Sequence, residues 1–126
     1  MKKRIFLLLL LSTTARAEWT PVNGNDDQDV YVDLTTTQRK ANIVEMAVLF
    51  DYKAAQQWTD YLVYWSKSVQ QEFDCDAGKY HSQDSMLFSE RMGNGSNVYT
   101  VPGGVSWRPV QGDGIDAILW KVACKR

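Results

Sequence analysis

Histidine occurs once, cysteine twice and proline three times in these 126 residues, and the scarcities close off functions. His81 is the only imidazole, and Ser82 and Asp84 beside it do not make a catalytic triad. Nucleophile, base and orienting acid must converge in space, which neighbours along one strand do not do. His81 is expected to be a strand-surface residue. Cysteine catalysis needs a free thiolate with a partnered base, and a lone pair of cysteines in an exported chain is expected to be bridged. No repeat, low-complexity tract or linker is present, and the length suits a single domain. The longest apolar run, Ile5–Leu11, is far short of the roughly 20 residues that span a bilayer.

That short run has a meaning of its own. It follows the basic head Met1-Lys2-Lys3-Arg4 and precedes Ala15-Arg16-Ala17, a small-x-small cleavage site. This order predicts a secretory signal peptide over residues 1–17 and one mature domain over 18–126. Cleavage removes Lys2, Lys3, Arg4 and Arg16 but no acid, leaving a net charge of 10 − 15 = −5. Phosphate backbones need compensating Lys and Arg, so nucleic acid is excluded as a partner. No cysteine follows the cleavage site to carry a lipid. The expectation is an exported protein, periplasmic or secreted, without a stable membrane anchor. A Cys75–Cys124 bridge would close a loop of about 50 residues and restrain the unfolded chain by roughly 4 kcal/mol, comparable to the net stability of many small domains.

What is abundant is alternation. Val30, Val32 and Leu34 alternate with Tyr31 and Asp33, the period of a half-buried strand, after a polar loop over Asn23–Gln28. Ile43–Tyr52 is the clearest strand, with Val44, Met46, Val48, Phe50 and Tyr52 on one face. Thr35–Asn42 reads as a turn or a very short strand edge, and Lys53–Gln57 as a break. Trp58–Asp76 reads as a long strand, Lys79–Met92 as another, and Gly93-Asn94-Gly95-Ser96 as a hairpin turn. Val98–Val101 and Val105–Val110 supply shorter pieces. The last segment fits two periods. Ile115, Ile118, Leu119 and Val122 have helical spacing, with Asp113 as a cap, while Ile118, Trp120, Val122 and Cys124 alternate. Ala117, Leu119, Lys121 and Ala123 favour helix. The fold class predicted is α+β, an antiparallel sheet of about six strands with a C-terminal helix packed on it and one disulfide.

The ordered motifs Val30-Tyr31-Val32-Asp33, Asp51-Tyr52-Lys53, Ser66-Lys67-Ser68, Glu72-Phe73-Asp74-Cys75, Ser89-Glu90-Arg91-Met92-Gly93-Asn94-Gly95, Trp107-Arg108-Pro109-Val110 and Leu119-Trp120-Lys121-Val122-Ala123-Cys124 resemble the surface-adhesin protein E family of Gram-negative bacteria. The resemblance spans nearly all of the mature chain. It implies a six-stranded antiparallel sheet joined to a C-terminal helix by Cys75–Cys124. It also implies a non-enzymatic role, the founding adhesin binding host matrix and plasma proteins such as vitronectin, laminin and plasminogen. The alternative role is a periplasmic accessory or ligand-binding protein.

No catalytic, cofactor-binding or metal-binding residues are assigned, and no cofactor is expected. The acidic loop fits a calcium template at Asn23, Asn25 and Asp27. It fails where Gln28 replaces the glycine and Leu34 the closing glutamate, so a solvated loop is the better account. Asp33 is read as capping a turn. Binding is expected from aromatics: Trp58, Tyr61, Tyr64 and Trp65 crowd eight positions and place rings on both faces of one strand. Large amphipathic rings are favoured at interfaces, whereas core filling or a dimer contact is the plainer use. Edge strands in so small a sheet can pair between chains, which admits a homodimer.

Overall fold

The computed structural model describes residues 17–125, so all of the expected signal peptide but Ala17 lies outside the described residues. Strands β1 (Trp19–Gly24), β2 (Gln28–Lys40), β3 (Ile43–Thr59), β4 (Leu62–Asp74), β5 (Lys79–Phe88) and β6 (Asn97–Val101) follow one another across one antiparallel sheet in chain order. The short β7 (Arg108–Pro109) pairs with Lys79 and Tyr80 of β5, beyond the stretch where β6 pairs. Helix α1 (Ile115–Cys124) closes the chain. The architecture is the α+β antiparallel sheet with a C-terminal helix that was expected, its strands in meander order and with a seventh strand of two residues.

Strict alternation builds the core. Val44, Met46, Val48 and Phe50 of β3 stand with Val30 and Val32 of β2 and Val69 and Phe73 of β4 on one face, under Leu119, Ala123 and Cys124 of α1. Burying so many branched side chains on one face, at roughly 1.5–3 kcal/mol each, fixes the register, since a one-residue slip would turn the set to the other face. Small Ala117 and Ala123 are buried along the helix, where their size lets its backbone lie close to the sheet. Trp120 Nε1 donates to the Asp74 carbonyl at 3.1 Å, and Cys75 is bonded to Cys124 across 49 residues of sequence. The cap of α1 is Gly114 rather than Asp113, and among the described residues no side chain caps it.

Several boundaries differ from the sequence reading. Trp19–Gly24 is an edge strand on Asp29–Asp33 of β2, where only a lead-in was expected. Thr35–Lys40 continues β2 after a bulge, and Gln38, Arg39 and Lys40 pair with Glu45, Val44 and Ile43. The buried Asp33 carboxylate organises that bulge by accepting from the Thr35 N–H at 2.9 Å and hydroxyl at 2.6 Å. Lys53–Gln57 is not a break; β3 runs through it to Thr59, and the turn falls at Asp60-Tyr61.

The second face of the sheet is covered too, by a crossing segment where a continuous strand to Met92 was expected. β5 stops at Phe88, and residues 89–96 fold over Leu49, Asp51 and Ser66 around a 3-10 turn (Arg91–Gly93). Buried Asp51 accepts from Arg91 Nη2 at 2.7 Å and Nε at 3.1 Å, and from the Met92 N–H at 2.8 Å. Ser66 Oγ donates to the Glu90 carbonyl at 2.7 Å and accepts from the Gly93 N–H at 2.8 Å. Gly95 closes this segment with φ +79°, and a Cβ there would lie 2.2 Å from Ser89 Oγ.

Candidate partner-binding surface

The outer half of β3 leaves the body of the sheet. Pairing with β2 ends at Gln28–Tyr52, whereas pairing with β4 resumes after a bulge at Gln56–Tyr64 and runs to Thr59–Leu62. Pairing of β4 with β5 begins only at Ser66. Residues 53–65 therefore form a two-stranded arm that, among the described residues, no further strand of the ladder flanks. Its base is braced by Lys53, whose N–H donates to the Asp27 carbonyl at 3.0 Å and whose ammonium donates to the Asn25 carbonyl at 2.6 Å.

The four aromatics expected to bind a partner all lie on or beside this arm, but not as one platform. Trp58 is 45% exposed and stacks on Tyr99 of β6, ring centroids 5.7 Å apart. Tyr61 occupies the tip and is 97% exposed. Tyr64 turns inward, edge-on to Tyr52 at 5.7 Å, and burial raises its phenol pKa. Burial also pushes Tyr52 up to about 12, with a smaller contribution from Tyr64. Trp65 is half-buried in a shallow depression with Ser89, Glu90 and Arg91 of the crossing segment. Trp58 and Tyr61 thus face solvent, while Tyr64 and Trp65 mainly anchor the arm.

Sequence reasoning missed two residues of this surface. Tyr99 and Val63 are 43% and 42% exposed. Tyr99 becomes a neighbour of Trp58 only through the folding of β6 onto β5, which leaves no local signal. From Ala54 to Trp65 the only charged residue is Asp60. Rings exposed on a surface with few charges match the composition of protein interface cores, which are enriched in Trp and Tyr and depleted of charge.

The other candidate groups are occupied locally. His81 donates through Nε2 to the Gly104 carbonyl, lies against the Trp107 ring and keeps Nδ1 3.5 Å from Glu72 Oε1. Ser82 Oγ accepts from Gln71 Nε2 at 3.3 Å, and Asp84 accepts from the Gly103 N–H at 2.8 Å. The three neighbours serve three separate contacts, as strand geometry dictates. In the acidic loop Asn25 Oδ1 accepts from the N–H groups of Asp27 and Gln28 at 2.8 and 2.9 Å. Among the described residues no three His, Cys, Asp or Glu side chains are placed to share a metal ion, and no helix is long and apolar enough to cross a membrane.

Residues 19–125 match the family described as surface-adhesin protein E. The chain belongs to the surface-adhesin protein E family. Membership makes this an exported, non-enzymatic adhesin-like domain with a protein-binding role. Its fold is similar to a solved structure of Haemophilus influenzae protein E, with a TM-score of 0.65 and 12% identity over 90% of this chain and 88% of that one. Crystal form II of that protein gives 0.64 and 10% identity over 88% and 97%. Its selenomethionine form gives 0.59 and 9% over 87% and 95%. At such identities the likeness is one of fold. No curated protein sequence matches the chain at a significant level.

Proposed function

We propose that this adhesin-like domain engages its partner protein through the β3–β4 arm, with Trp58 and Tyr61 as anchors and Tyr99 and Val63 beside them. The observation that carries the reading is the arm itself, a hairpin reaching past the sheet with one charged residue from Ala54 to Trp65 and a fully exposed tyrosine at its tip. A partner that buries these rings gains apolar area at little cost in side-chain entropy, because aromatic side chains have few rotatable bonds. The partner class is a host extracellular-matrix or plasma protein. The chain reaches it after loss of residues 1–17, in periplasmic or secreted form, without a lipid anchor.

Surface plasmon resonance of the oxidised protein on immobilised vitronectin and laminin tests this directly. Saturable binding is expected, and Trp58→Ala should weaken it by about 2 kcal/mol, the threshold of a hot-spot residue, or roughly 30-fold in Kd. A flat response on both proteins would remove the host-protein assignment. Cell fractionation then decides the competing use of the same arm: material held wholly in the periplasm favours an accessory protein with an envelope partner. Among the described residues the outer edges of β1 and β6 have no neighbour in the sheet, and we propose a homodimer by strand pairing as the third reading. Sedimentation detects it as a doubled mass.

A further inference from the structure

On the helix-covered face a cavity of about 420 Å³ opens between β4, β5, the first turn of α1 and the segment 104–108. That volume falls within the ~300–1,000 Å³ typical of small-molecule sites. Among the described residues three groups on its wall have a polar atom that lacks a hydrogen-bond or ion-pair partner: Lys67, Gln71 and His81, whose Nδ1 only faces Glu72 Oε1 at 3.5 Å. Lys67 stands across from Phe50, its ammonium 4.7 Å from the ring centroid. Among the described residues no carboxylate comes within ion-pair distance of it, and burial lowers its pKa. Gln71 is 5% exposed; its Nε2 donates to Ser82 Oγ, and its Oε1 meets no donor.

The cavity's one carboxylate, Asp116, does not answer the lysine. It lies beside Tyr80, whose phenol pKa is raised by burial and by Asp116 and lowered by Arg108. The guanidinium has five N–H donors, so Arg108 has donors to spare. The wall therefore offers two cations, an orphan acceptor and the hydroxyls of Ser82, Ser85 and Ser106, over an apolar patch of Phe50 and Val69. A buried polar atom without a partner is costly, and a half-buried ammonium with no counter-ion adds a desolvation cost of its own. A fully ionised phosphate group, having no donor, would satisfy the cations alone, and a neutral sugar the acceptor alone. A carboxylate that also carries hydroxyls satisfies both.

We propose that this cavity binds a small hydroxylated carboxylate, the class of a uronic or sialic acid at the end of an acidic glycan, with Lys67 and Arg108 on its carboxylate and Gln71 accepting from a hydroxyl. The wall is fixed in advance. Gly103 lies so close to β5 that a Cβ would meet the Gln83 carbonyl carbon at 2.6 Å, its N–H is held by Asp84 at 2.8 Å, and His81 bonds the Gly104 carbonyl beneath Trp107. A preformed wall lowers the ordering cost of binding.

The experiment is a titration of the isotope-labelled, oxidised protein with glucuronate, N-acetylneuraminate, glucose and inorganic phosphate, followed by amide chemical shifts. Saturable shifts at Lys67, Gln71, Ser82 and Gly104 are expected with at least one of the two acids. The tighter of the two identifies the source. Lys67→Met keeps the alkyl stem over Phe50 and should weaken binding at least tenfold, as should Gln71→Leu. Absence of saturable shifts with both acids overturns the proposal, as does equal affinity for phosphate or glucose on the unaltered protein, or unchanged affinity in Lys67→Met. Because none of Trp58, Tyr61, Val63 and Tyr99 lines this cavity, loss of arm binding to vitronectin or laminin leaves this result intact.

Discussion

The two ends of β3 are the same strand under opposite conditions. From Val44 to Phe50 it is paired on both sides, by β2 and by β4, and apart from Glu45 every side chain is buried. From Lys53 to Thr59 it is paired, among the described residues, on β4 alone, and every residue but the half-buried Gln56 is exposed. Apolar residues at the inner end hold the sheet to α1; those at the outer end hold little beyond a neighbouring ring. The comparison teaches that stability and recognition occupy separate halves of one element, so either can be changed with little effect on the other.

The largest break of that contrast is expected at the staple. Cys124→Ser releases a loop of 49 residues and should lower the unfolding free energy by about 4 kcal/mol, read from the urea midpoint, with arm affinity unchanged below the transition. Next comes Asp51→Ala, which leaves the Met92 N–H without its acceptor and frees the crossing segment. Arg91 is half exposed and regains water, so the cost stays at about 1–3 kcal/mol. Chemical denaturation measures it, with faster hydrogen exchange at Met92 as the local sign.

A smaller effect sharpens the boundary between the halves. Burial holds Tyr52 neutral up to about 12, above the ordinary phenol value near 10. A folded pKa raised above the unfolded one gives stability that is fully present below pH ~10 and lost as pH rises towards 12. Tyr52→Phe should make that alkaline fall shallower, as followed by denaturation midpoints against pH. Smallest of all, Tyr61→Ala at the arm tip should move the midpoint by no more than ~0.5 kcal/mol, the usual range for exposed positions.

The core was legible in the sequence because one buried face imposes a period of two, and Val44, Met46, Val48 and Phe50 obey it. The arm was not, because Lys53–Gln57 is solvated and carries no such period; it reads as a break although its backbone is extended. Edge strand β1 hides for a related reason, since Pro21 and one-sided pairing leave Trp19–Gly24 looking like a lead-in. The crossing segment was hidden by a different ambiguity. Asp51 and Ser66 are polar residues on the second face, and a polar residue buried under its own hydrogen-bond donors has the same letter as one in water. The crowding of Trp58, Tyr61, Tyr64 and Trp65 did mark the candidate surface, but pattern alone could not separate the two that face outward from the two that anchor the arm. Nor could it supply Tyr99, which arrives from another hairpin.

The most direct measurement pairs binding with stability in the double variant Trp58→Ala/Tyr61→Ala, using resonance on vitronectin and laminin beside urea denaturation of the same preparation. Loss of binding with a midpoint close to that of the unaltered protein is the predicted result. Binding that survives the double substitution would contradict the assignment of the arm as the contact surface.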